Sequence, residues 1–300
     1  MSASVLVTGG SGQVGGALVR RLQASGVSTI APGRDTLDLA RPETLAMTLR
    51  ALAPRIVVNC AAWTAVDAAE RDEAAAHTVN AESPTSIAAF CATRALPLIH
   101  VSTDYVFDGG DAAPFVEDAT PAPLQAYGRT KLAGERAVLA SGAPTVVVRT
   151  SAVYDGHGRN FLTAILARAR RGDGLRVVTD QVTAPTSASA VADVLAQIVE
   201  DVLHGGARFD RVRADGGVLH ASAAGAVTWH DFAVAALTRR AAREPAMRAV
   251  PITGVTTAEW GAPASRPPRA LLGGTRLATH YGSSLAHWET QLDAVLASLT

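Results

Sequence analysis

Two hydroxyl residues, a tyrosine and a lysine have the types and spacing of a proton-transfer site. Ser102 and Thr103 end an apolar run that is typical of a strand, and Tyr127 and Lys131 open a helical segment further along the chain. Because positions i and i+4 of a helix share one face, Lys131 is expected beside Tyr127, where its charge would lower the pKa of the phenol from about 10. Thr103, at the carboxyl end of its strand, can hydrogen-bond a substrate carbonyl from the other side. The pattern predicts proton transfer to a carbonyl oxygen.

A glycine-rich loop near the amino terminus predicts a dinucleotide site. The predicted strand Val5–Thr8 leads into three glycines with the spacing Gly-x-x-Gly-x-x-Gly, and a helical segment follows. Gly9 allows a tight turn, Gly12 lets a pyrophosphate approach the backbone, and Gly15 lets the helix pack close to the sheet. The amino terminus of the helix then offers free N–H groups to the phosphates. The residues assigned to this part of the site are Gly9, Gly12, Gln13, Val14 and Gly15.

The first half of the chain alternates short apolar strands with helical patterns, which is typical of a doubly wound parallel sheet. The predicted strands are Val5–Thr8, Val27–Ala31, Ile56–Asn59, Leu98–Ser102 and Thr145–Arg149. The predicted helices fall near residues 14–24, 42–52, 80–94, 127–140 and 159–171. The later half is less regular: we predict a strand over Val177–Asp180, helices over Ser189–Leu203 and Thr228–Arg240, and an irregular segment over Ala262–Pro268.

Composition argues against several kinds of partner. Lys+Arg and Asp+Glu number 27 each in 300 residues, so no global field points to nucleic acid or to an anionic membrane. Cys60 and Cys91 cannot form a disulfide framework or a zinc site, and the histidines show no metal-ligand spacing. No apolar run reaches the length of about 18 residues that a membrane span needs, and the amino terminus lacks a signal-peptide pattern. We therefore expect a cytoplasmic protein with no nucleic-acid or membrane partner.

The combination of two longer runs is typical of one family. These runs are Ser102–Phe107 (Ser-Thr-Asp-Tyr-Val-Phe) and Tyr127–Glu135 (Tyr-Gly-Arg-Thr-Lys-Leu-Ala-Gly-Glu). The chain resembles the dTDP-4-dehydrorhamnose reductases, which are extended short-chain dehydrogenases/reductases, over nearly its whole length. Further matching runs are Val58–Asp67, Arg149–Ser151, Arg159–Phe161, Asp180–Gln181, Ala184–Thr186 and Pro263–Pro267. The resemblance implies a Rossmann-type NAD(P)-binding domain over residues 1–150. It also implies a smaller C-terminal substrate-binding lobe over residues 151–300, from which strands or helices can return to the Rossmann sheet.

The activity implied by the resemblance is NAD(P)H-dependent reduction of the C4 ketone of dTDP-4-dehydrorhamnose to dTDP-L-rhamnose. Tyr127 would be the proton donor, Lys131 would tune its pKa and anchor the nicotinamide ribose, and Thr103 would hydrogen-bond the carbonyl. Further cofactor contacts are expected at Arg34, Asp38, Leu39, Ala62, Trp63 and Thr64. Substrate contacts are expected at Val66, Thr103, Asp104, Tyr105, Ala152, Asn160 and Arg266.

Several of these residues have structural alternatives. Asp38 can serve as a helix-entry residue, Trp63 can pack, and Asn160 and Arg266 can cap or bridge elements. Arg34 follows the second predicted strand, where an arginine can receive a ribose 2′-phosphate. We therefore predict NADPH as the cofactor, with NADH as the alternative because an acidic residue lies next to Arg34.

The chain departs from the family pattern at three places. Ala152 stands where the family usually carries a tryptophan, and Arg269-Ala270 replace a common Asn-Ser pair. Some members bind magnesium at a dimer interface through two acidic residues, and this chain has Ala17 and Ser189 there. We therefore predict no metal, and any homodimer would form without that magnesium site.

Two alternative functions stay open. Ala152 is compatible with a 4-ketoreductase that acts on another nucleotide-linked 4-keto-6-deoxyhexose, through a wider sugar pocket unless another residue fills the space. A non-catalytic dinucleotide-binding regulatory subunit also resembles this family. The presence of Thr103, Tyr127 and Lys131 together argues against the regulatory subunit, which has no need of all three.

Overall fold

A computed structural model describes residues 4–244 and 249–299. The strands in this part of the chain are β1 Val5–Thr8, β2 Thr29–Ile30, β3 Ile56–Asn59, β4 Leu98–Thr103, β5 Thr145–Thr150, β6 Val153–Tyr154, β7 Leu175–Val178, β8 Val182–Thr183, β9 Thr186–Ser187, β10 Val218–His220, β11 Val227–Thr228, β12 Ile252–Val255 and β13 Arg269–Ala270. The helices are α1 Gln13–Ala24, α2 Pro42–Leu52, α3 Val66–Ala69, α4 Glu73–His77, α5 Ser83–Ala92, α6 Ala126–Ala140, α7 Phe161–Arg171, α8 Ala188–Leu203, α9 Ala207–Ala214, α10 Trp229–Ala241, α11 Thr257–Trp260, α12 Thr275–Tyr281 and α13 Trp288–Ser298.

Six strands form one parallel sheet in the order β10-β5-β4-β3-β1-β2. Val5 and Val7 of β1 pack in one cluster with α1 and α8, and Leu6 packs in another cluster with α2 and α5. This alternation arises because successive side chains of a strand point to opposite faces. Since helices cover both faces, the strands are rich in apolar residues that face both sides of the sheet. The predicted doubly wound Rossmann-type sheet is confirmed.

Segments beyond residue 150 return to this sheet. β10 pairs with β5 as the sixth strand, and α8, α9 and α12 contribute Val194, Phe209 and Leu277 to the same buried cluster as α1. A second buried cluster, centred on Phe232 and Trp288, joins α7, α10 and α13. The division into a cofactor domain and a substrate lobe near residue 150 stays a proposal, and these packing contacts describe how the two parts interleave.

The order of strands explains where a ligand can bind. β2 lies on one side of β1 and β3 lies on the other, so the direction of the chain reverses beside β1. Ligands of open parallel sheets bind at the carboxyl ends of the strands at such a reversal. The loops that follow β1 and β3 are therefore where the predicted dinucleotide is expected to bind.

The largest difference from the predicted elements concerns the helix expected near residues 80–94. There α4, a π-helical turn over Thr78–Glu82 and α5 together span residues 73–92. Asp72 starts this run, because its carboxylate accepts a hydrogen bond from the Ala75 N–H at 3.0 Å. Pro84 lies just after the turn and lacks the N–H that a regular helix would use there. Elsewhere the predicted strand Val27–Ala31 is shorter, Thr29–Ile30, and the strand predicted over Val177–Asp180 begins earlier, at Leu175.

Residues 4–244 and 249–299 contain no helix that is long and apolar enough to cross a membrane. The same residues hold no group of three or more His, Cys, Asp or Glu side chains that could bind a metal ion. Ala17 is buried in the sheet core, and the Ser189 hydroxyl lies 3.1 Å from that of Ser187.

Candidate active site

One large cavity of about 1080 Å³ is lined by residues at the carboxyl ends of β1, β3 and β4 and by segments that follow residue 150. All the residues assigned to catalysis, cofactor or substrate line it. They are Gly9, Gly12, Gln13, Val14, Gly15, Arg34, Asp38, Leu39, Ala62, Trp63, Thr64, Val66, Thr103, Asp104, Tyr105, Tyr127, Lys131, Ala152, Asn160 and Arg266. The fold thus brings residues from early and late parts of the sequence together around a single cavity.

The glycine loop has the geometry that a dinucleotide requires. Gly9 has φ +67°, a left-handed conformation, and a Cβ there would lie 2.9 Å from the Ala61 backbone. A Cβ on Gly15 would collide with the Gly9 carbonyl oxygen, so the start of α1 lies directly against the loop. Gly12 precedes α1 with no side-chain cap, and the buried Oε1 of Gln13 has no hydrogen-bond partner among the described residues. Free N–H groups at a helix amino terminus fit the pyrophosphate of NADP.

Asn80 fixes the loop that follows β3. Its Oδ1 accepts a hydrogen bond from the Trp63 N–H at 2.8 Å, and its Nδ2 donates to the Trp63 carbonyl oxygen and to the Thr130 hydroxyl, both at 3.1 Å. Asn80 lies in the π-helical turn, and α6 approaches so closely that a Cβ on Gly134 would collide with the Asn80 carbonyl. No spacing in the sequence singles out Asn80, which acts by holding the predicted cofactor contacts Ala62–Thr64 in place.

Thr103 is hydrogen-bonded to a buried carboxyl group, that of Asp104. The Thr103 hydroxyl donates to Asp104 Oδ1 at 3.0 Å and accepts from the Tyr105 N–H at 3.2 Å. Tyr127 lines the same cavity as Thr103, and Ser151 donates to the other Asp104 oxygen at 2.7 Å. Burial raises the pKa of Asp104 to about 6, although the bonds from Ser151 and Thr103 oppose the shift.

Lys131 is the end of a buried polar chain that starts at the glycine-loop strand. Thr8 accepts from the Ala61 N–H and donates to Asn59 Oδ1 at 2.6 Å, so the Asn59 amide nitrogen faces His100 Nδ1 at 3.0 Å. The other ring nitrogen of His100 lies 3.4 Å from Lys131 Nζ, which donates to the Val101 carbonyl at 2.8 Å. His100 is fully buried and contacts the lysine.

The pKa values of Tyr127 and Lys131 differ from those expected from the sequence. Burial raises the pKa of Tyr127 above its usual value, and the Asp104 charge raises it further. Lys131 is itself desolvated, which lowers its pKa to about 8 although Glu135 opposes the shift. The predicted lowering of the tyrosine pKa by Lys131 is wrong for this arrangement. A phenol with a raised pKa keeps its proton at neutral pH, which is the form that a general acid needs.

A buried ion pair fixes the helix that carries Tyr127 and Lys131. Glu135 and Arg149 have side chains that are 1% and 5% exposed, and their closest N–O distance is 2.7 Å. The Arg149 guanidinium also lies over the Phe107 ring, 5.1 Å from its centre, and 3.4 Å from His220 Nε2. The pair therefore ties α6 to β5, β10 and the segment after β4. The sequence signals it only through the matching runs that contain Glu135 and Arg149.

With this geometry described, comparison with known proteins identifies the family. The profile of the family described as "RmlD substrate binding domain" matches residues 3–300. The chain belongs to this family. A dTDP-4-dehydrorhamnose reductase of Burkholderia thailandensis is 40% identical over 290 residues, covering 95% of each chain.

Other relatives of this RmlD-family chain extend the comparison. A probable dTDP-4,6-dihydroxy-2-methyloxan-3-one 4-ketoreductase of Streptomyces antibioticus is 40% identical, covering 96% of this chain and 92% of the relative. Among solved structures, a dTDP-4-dehydrorhamnose reductase of Bacillus anthracis in complex with NADP superposes with a TM-score of 0.86, at 27% identity and 99% coverage of both chains.

On the substrate side of this RmlD-family protein, Arg266 is already paired. Its guanidinium donates to both carboxylate oxygens of Asp67, at 3.0 and 3.1 Å, and to the Ala264 carbonyl at 3.0 Å. Because Asp67 lies in the first turn of α3 and Arg266 lies in the irregular segment after α11, the pair bridges the two sides of the cavity, as the structural alternative predicts. Its role in substrate binding stays a prediction.

Three other predicted binding residues, Asn160, Asp38 and Ala152, line the cavity and also have a local structural feature. Asn160 caps α7: its Oδ1 accepts from the Thr163 N–H, and both Nδ2 hydrogens are donated to the carbonyls of Asp155 and His157. Asp38 accepts from the Ala40 N–H at 3.0 Å. Ala152 has φ +45°, in the left-handed region that is uncommon for residues other than glycine. All three line the cavity, and their binding roles stay predictions.

Proposed function

We propose that this protein reduces the C4 ketone of dTDP-4-dehydrorhamnose to dTDP-L-rhamnose with NADPH. The observation that carries the proposal is the assembly of Thr103, Tyr127 and Lys131 in the same cavity as the glycine loop. Similarity over nearly the whole chain to a dTDP-4-dehydrorhamnose reductase supports the substrate, and the related structure in complex with NADP supports the cofactor.

The chain's own residues supply binding, orientation and a proton. NADPH, when bound, supplies the hydride that adds to C4. As negative charge grows on the carbonyl oxygen, Tyr127 donates its phenolic proton to that oxygen, so that ketone, hydride and proton together give the alcohol. Thr103, whose hydroxyl contacts Asp104 and the Tyr105 N–H, is proposed to hydrogen-bond the substrate carbonyl. Lys131 is proposed to anchor the nicotinamide ribose from the end of its buried chain.

The glycine loop, the Asp38–Leu39 pair and the Ala62–Thr64 loop are proposed to hold the cofactor, with exposed Arg34 at the ribose 2′-phosphate. Val66, Thr103–Tyr105, Ala152, Asn160 and Arg266 are proposed to hold the nucleotide sugar. The cytoplasmic location stays a proposal. We further propose that no magnesium is needed, because Ala17 and Ser189 offer no carboxylate to a hard cation, so EDTA should leave turnover unchanged.

A second candidate is reduction of a different nucleotide-linked 4-keto-6-deoxyhexose. The Streptomyces antibioticus relative carries the name of such a 4-ketoreductase at 40% identity, and Ala152 places only a methyl group in the cavity wall. A non-catalytic role is disfavoured because Thr103, Tyr127 and Lys131 line one cavity together with the glycine loop.

Steady-state kinetics with purified protein test these candidates. NADPH oxidation is measured with dTDP-4-dehydrorhamnose and with one differently substituted dTDP-4-keto-6-deoxyhexose, and the products are identified by NMR. We expect the higher kcat/KM for dTDP-4-dehydrorhamnose, with dTDP-L-rhamnose as the product. A higher value for the other sugar would support the second candidate, and no NADPH oxidation with either sugar would contradict both.

A further inference from the structure

Two aromatic rings line the cavity on the side of the substrate lobe, and the sequence assigned neither of them to the site. Phe161 begins α7 and Trp229 begins α10, and both are partly buried. Their ring centres lie 4.6 Å apart with an interplanar angle of 62°, a favoured edge-to-face arrangement. We call Phe161 and Trp229 the aromatic pair.

The aromatic pair is held rigidly from behind. Phe232, which is fully buried, lies 6.2 Å from Phe161 and 6.4 Å from Trp229, measured between ring centres. Phe232 in turn lies 5.9 Å from Trp288 in the second buried cluster. At the backbone, the Trp229 N–H donates to the Gln181 carbonyl at 3.3 Å, and Asn160 caps the helix that Phe161 begins. Rigid aromatic side chains supply large contact areas at a low entropic cost.

The position of the pair relative to the reacting atoms follows from the strand pairing. Ser151 donates to Asp104, which holds Thr103, and lies 3.1 Å from the Thr183 hydroxyl in β8. Trp229 bonds Gln181, two residues before Thr183, which corresponds to ~7 Å along an extended chain. The aromatic pair is therefore beside the reaction centre but displaced from it, where a part of the substrate beyond the reacting sugar carbon would lie.

We propose that the aromatic pair binds the pyrimidine base of the nucleotide sugar by stacking, with Trp229 as the principal contact. This inference rests on the proposed function, since it assumes a nucleotide-linked substrate. Bases stack on aromatic side chains through their π faces. The diphosphate would instead be bound by cationic groups, and the reacting sugar must lie against the proton donor. The pair is the aromatic surface that the substrate lobe contributes to the cavity, and it determines specificity for the nucleotide rather than the chemistry at C4.

Binding of free dTDP tests the inference without turnover. The affinity for dTDP is measured by calorimetry for the wild type, Trp229→Leu, Trp229→Phe and Phe161→Leu. We expect Trp229→Leu to weaken dTDP binding roughly 5- to 150-fold, the range for one lost base–aromatic stack, while Trp229→Phe loses much less. The matched control is Trp260→Phe, because Trp260 is 48% exposed and does not line the cavity. NADPH affinity is measured in every variant, and an unchanged value shows that the fold is intact.

Fluorescence separates the base from the sugar as the group that contacts Trp229. We expect dTDP to quench the tryptophan emission of the wild type and of Trp63→Phe, and to lose most of that effect in Trp229→Phe. If Trp229→Leu retains the affinity for dTDP but raises the KM for the nucleotide sugar, the contact is with the sugar and the inference is overturned. If dTDP binding depends on Trp229 while no 4-keto sugar is reduced, the inference stands and the proposed function fails.

Discussion

On the cofactor side of the cavity, the ends of β1, β3 and β4 carry buried polar side chains that bond to one another: Thr8 to Asn59, Asn59 to His100, and His100 to Lys131. On the substrate side, the irregular segment that carries Arg266 and the first turns of α7 and α10 contribute aromatic rings and partly exposed ion pairs. A buried polar group that loses its partner carries the full desolvation cost, whereas a lost apolar contact changes affinity by a smaller amount. Substitutions on the cofactor side should therefore affect chemistry or folding, and those on the substrate side should affect selectivity.

The largest effect is expected for the proton donor. Tyr127→Phe removes the phenolic proton and should lower kcat roughly 10²–10⁴-fold, the range for a lost general acid, while NADPH affinity is retained. Steady-state kinetics and cofactor titration measure the two quantities. Tyr281→Phe is the matched control, because Tyr281 is buried but lies outside the cavity lining. Turnover of Tyr127→Phe within a few-fold of the wild type would show that another group donates the proton.

The buried ion pair behind the cofactor side should matter for folding. Arg149→Met leaves Glu135 buried without its partner and should lower the free energy of unfolding by about 3–5 kcal/mol. The control is Arg129→Met, whose partner Glu73 is about half exposed, and such surface pairs contribute about 0–1 kcal/mol. Chemical denaturation measures both. Equal losses in the two variants would contradict the distinction between the buried and the exposed pair.

The choice of cofactor depends on an exposed residue at the edge of the same side. Arg34→Ala should remove a charge-assisted contact with the 2′-phosphate and lower the preference for NADPH over NADH roughly 10- to 100-fold. The ratio of kcat/KM values for the two cofactors measures this preference. Arg41→Ala is the control, because Arg41 pairs with Glu43 and lies outside the cavity lining. A wild type that favours NADH, or an Arg34→Ala variant with an unchanged ratio, would exclude this role.

The smallest effect is expected from the carboxyl group that orients Thr103. The pKa of Asp104 is raised to about 6 by burial, so the carboxylate accepts the Thr103 proton above that pH and is protonated below it. A plot of log kcat/KM against pH should therefore bend, that is, change slope, near pH 6 in the wild type. Asp104→Asn should lose this bend, and Asp118→Asn, outside the cavity lining, should keep it. A bend near pH 6 that persists in Asp104→Asn would assign it to another group.

How much the sequence could predict also differs between the two sides. The glycine spacing and the Tyr-x-x-x-Lys run located the cofactor side because each follows from local geometry: a turn, a helix face and the end of a strand. The sequence does not predict the contacts of Asn80 and His100. These contacts depend on a π-helical turn and on strand register, which bring together residues that are far apart in the chain. The pKa of Tyr127 was mispredicted because residue spacing shows a nearby charge but does not show burial.

On the substrate side, the sequence predicts which residues belong to the site but does not show what those residues contact. The sequence predicts Arg266 and Asn160 as substrate contacts, and the structure adds that Arg266 bonds Asp67 and Asn160 caps α7. Phe161 and Trp229 stand at helix starts in regions of irregular pattern, and the packing of Phe232 behind them gives them a common face.

The central claim is that this cavity delivers hydride and a proton to a nucleotide-linked C4 ketone. Its most direct test is the transfer of deuterium from NADPH labelled at the reactive C4 position of the nicotinamide to dTDP-4-dehydrorhamnose, followed by NMR of the product. We predict dTDP-L-rhamnose with deuterium at C4 of the sugar, formed by the wild type and nearly absent with Tyr127→Phe under the same conditions. Product without deuterium at C4 from a fully labelled cofactor, or binding of both ligands with no product at all, would contradict the claim.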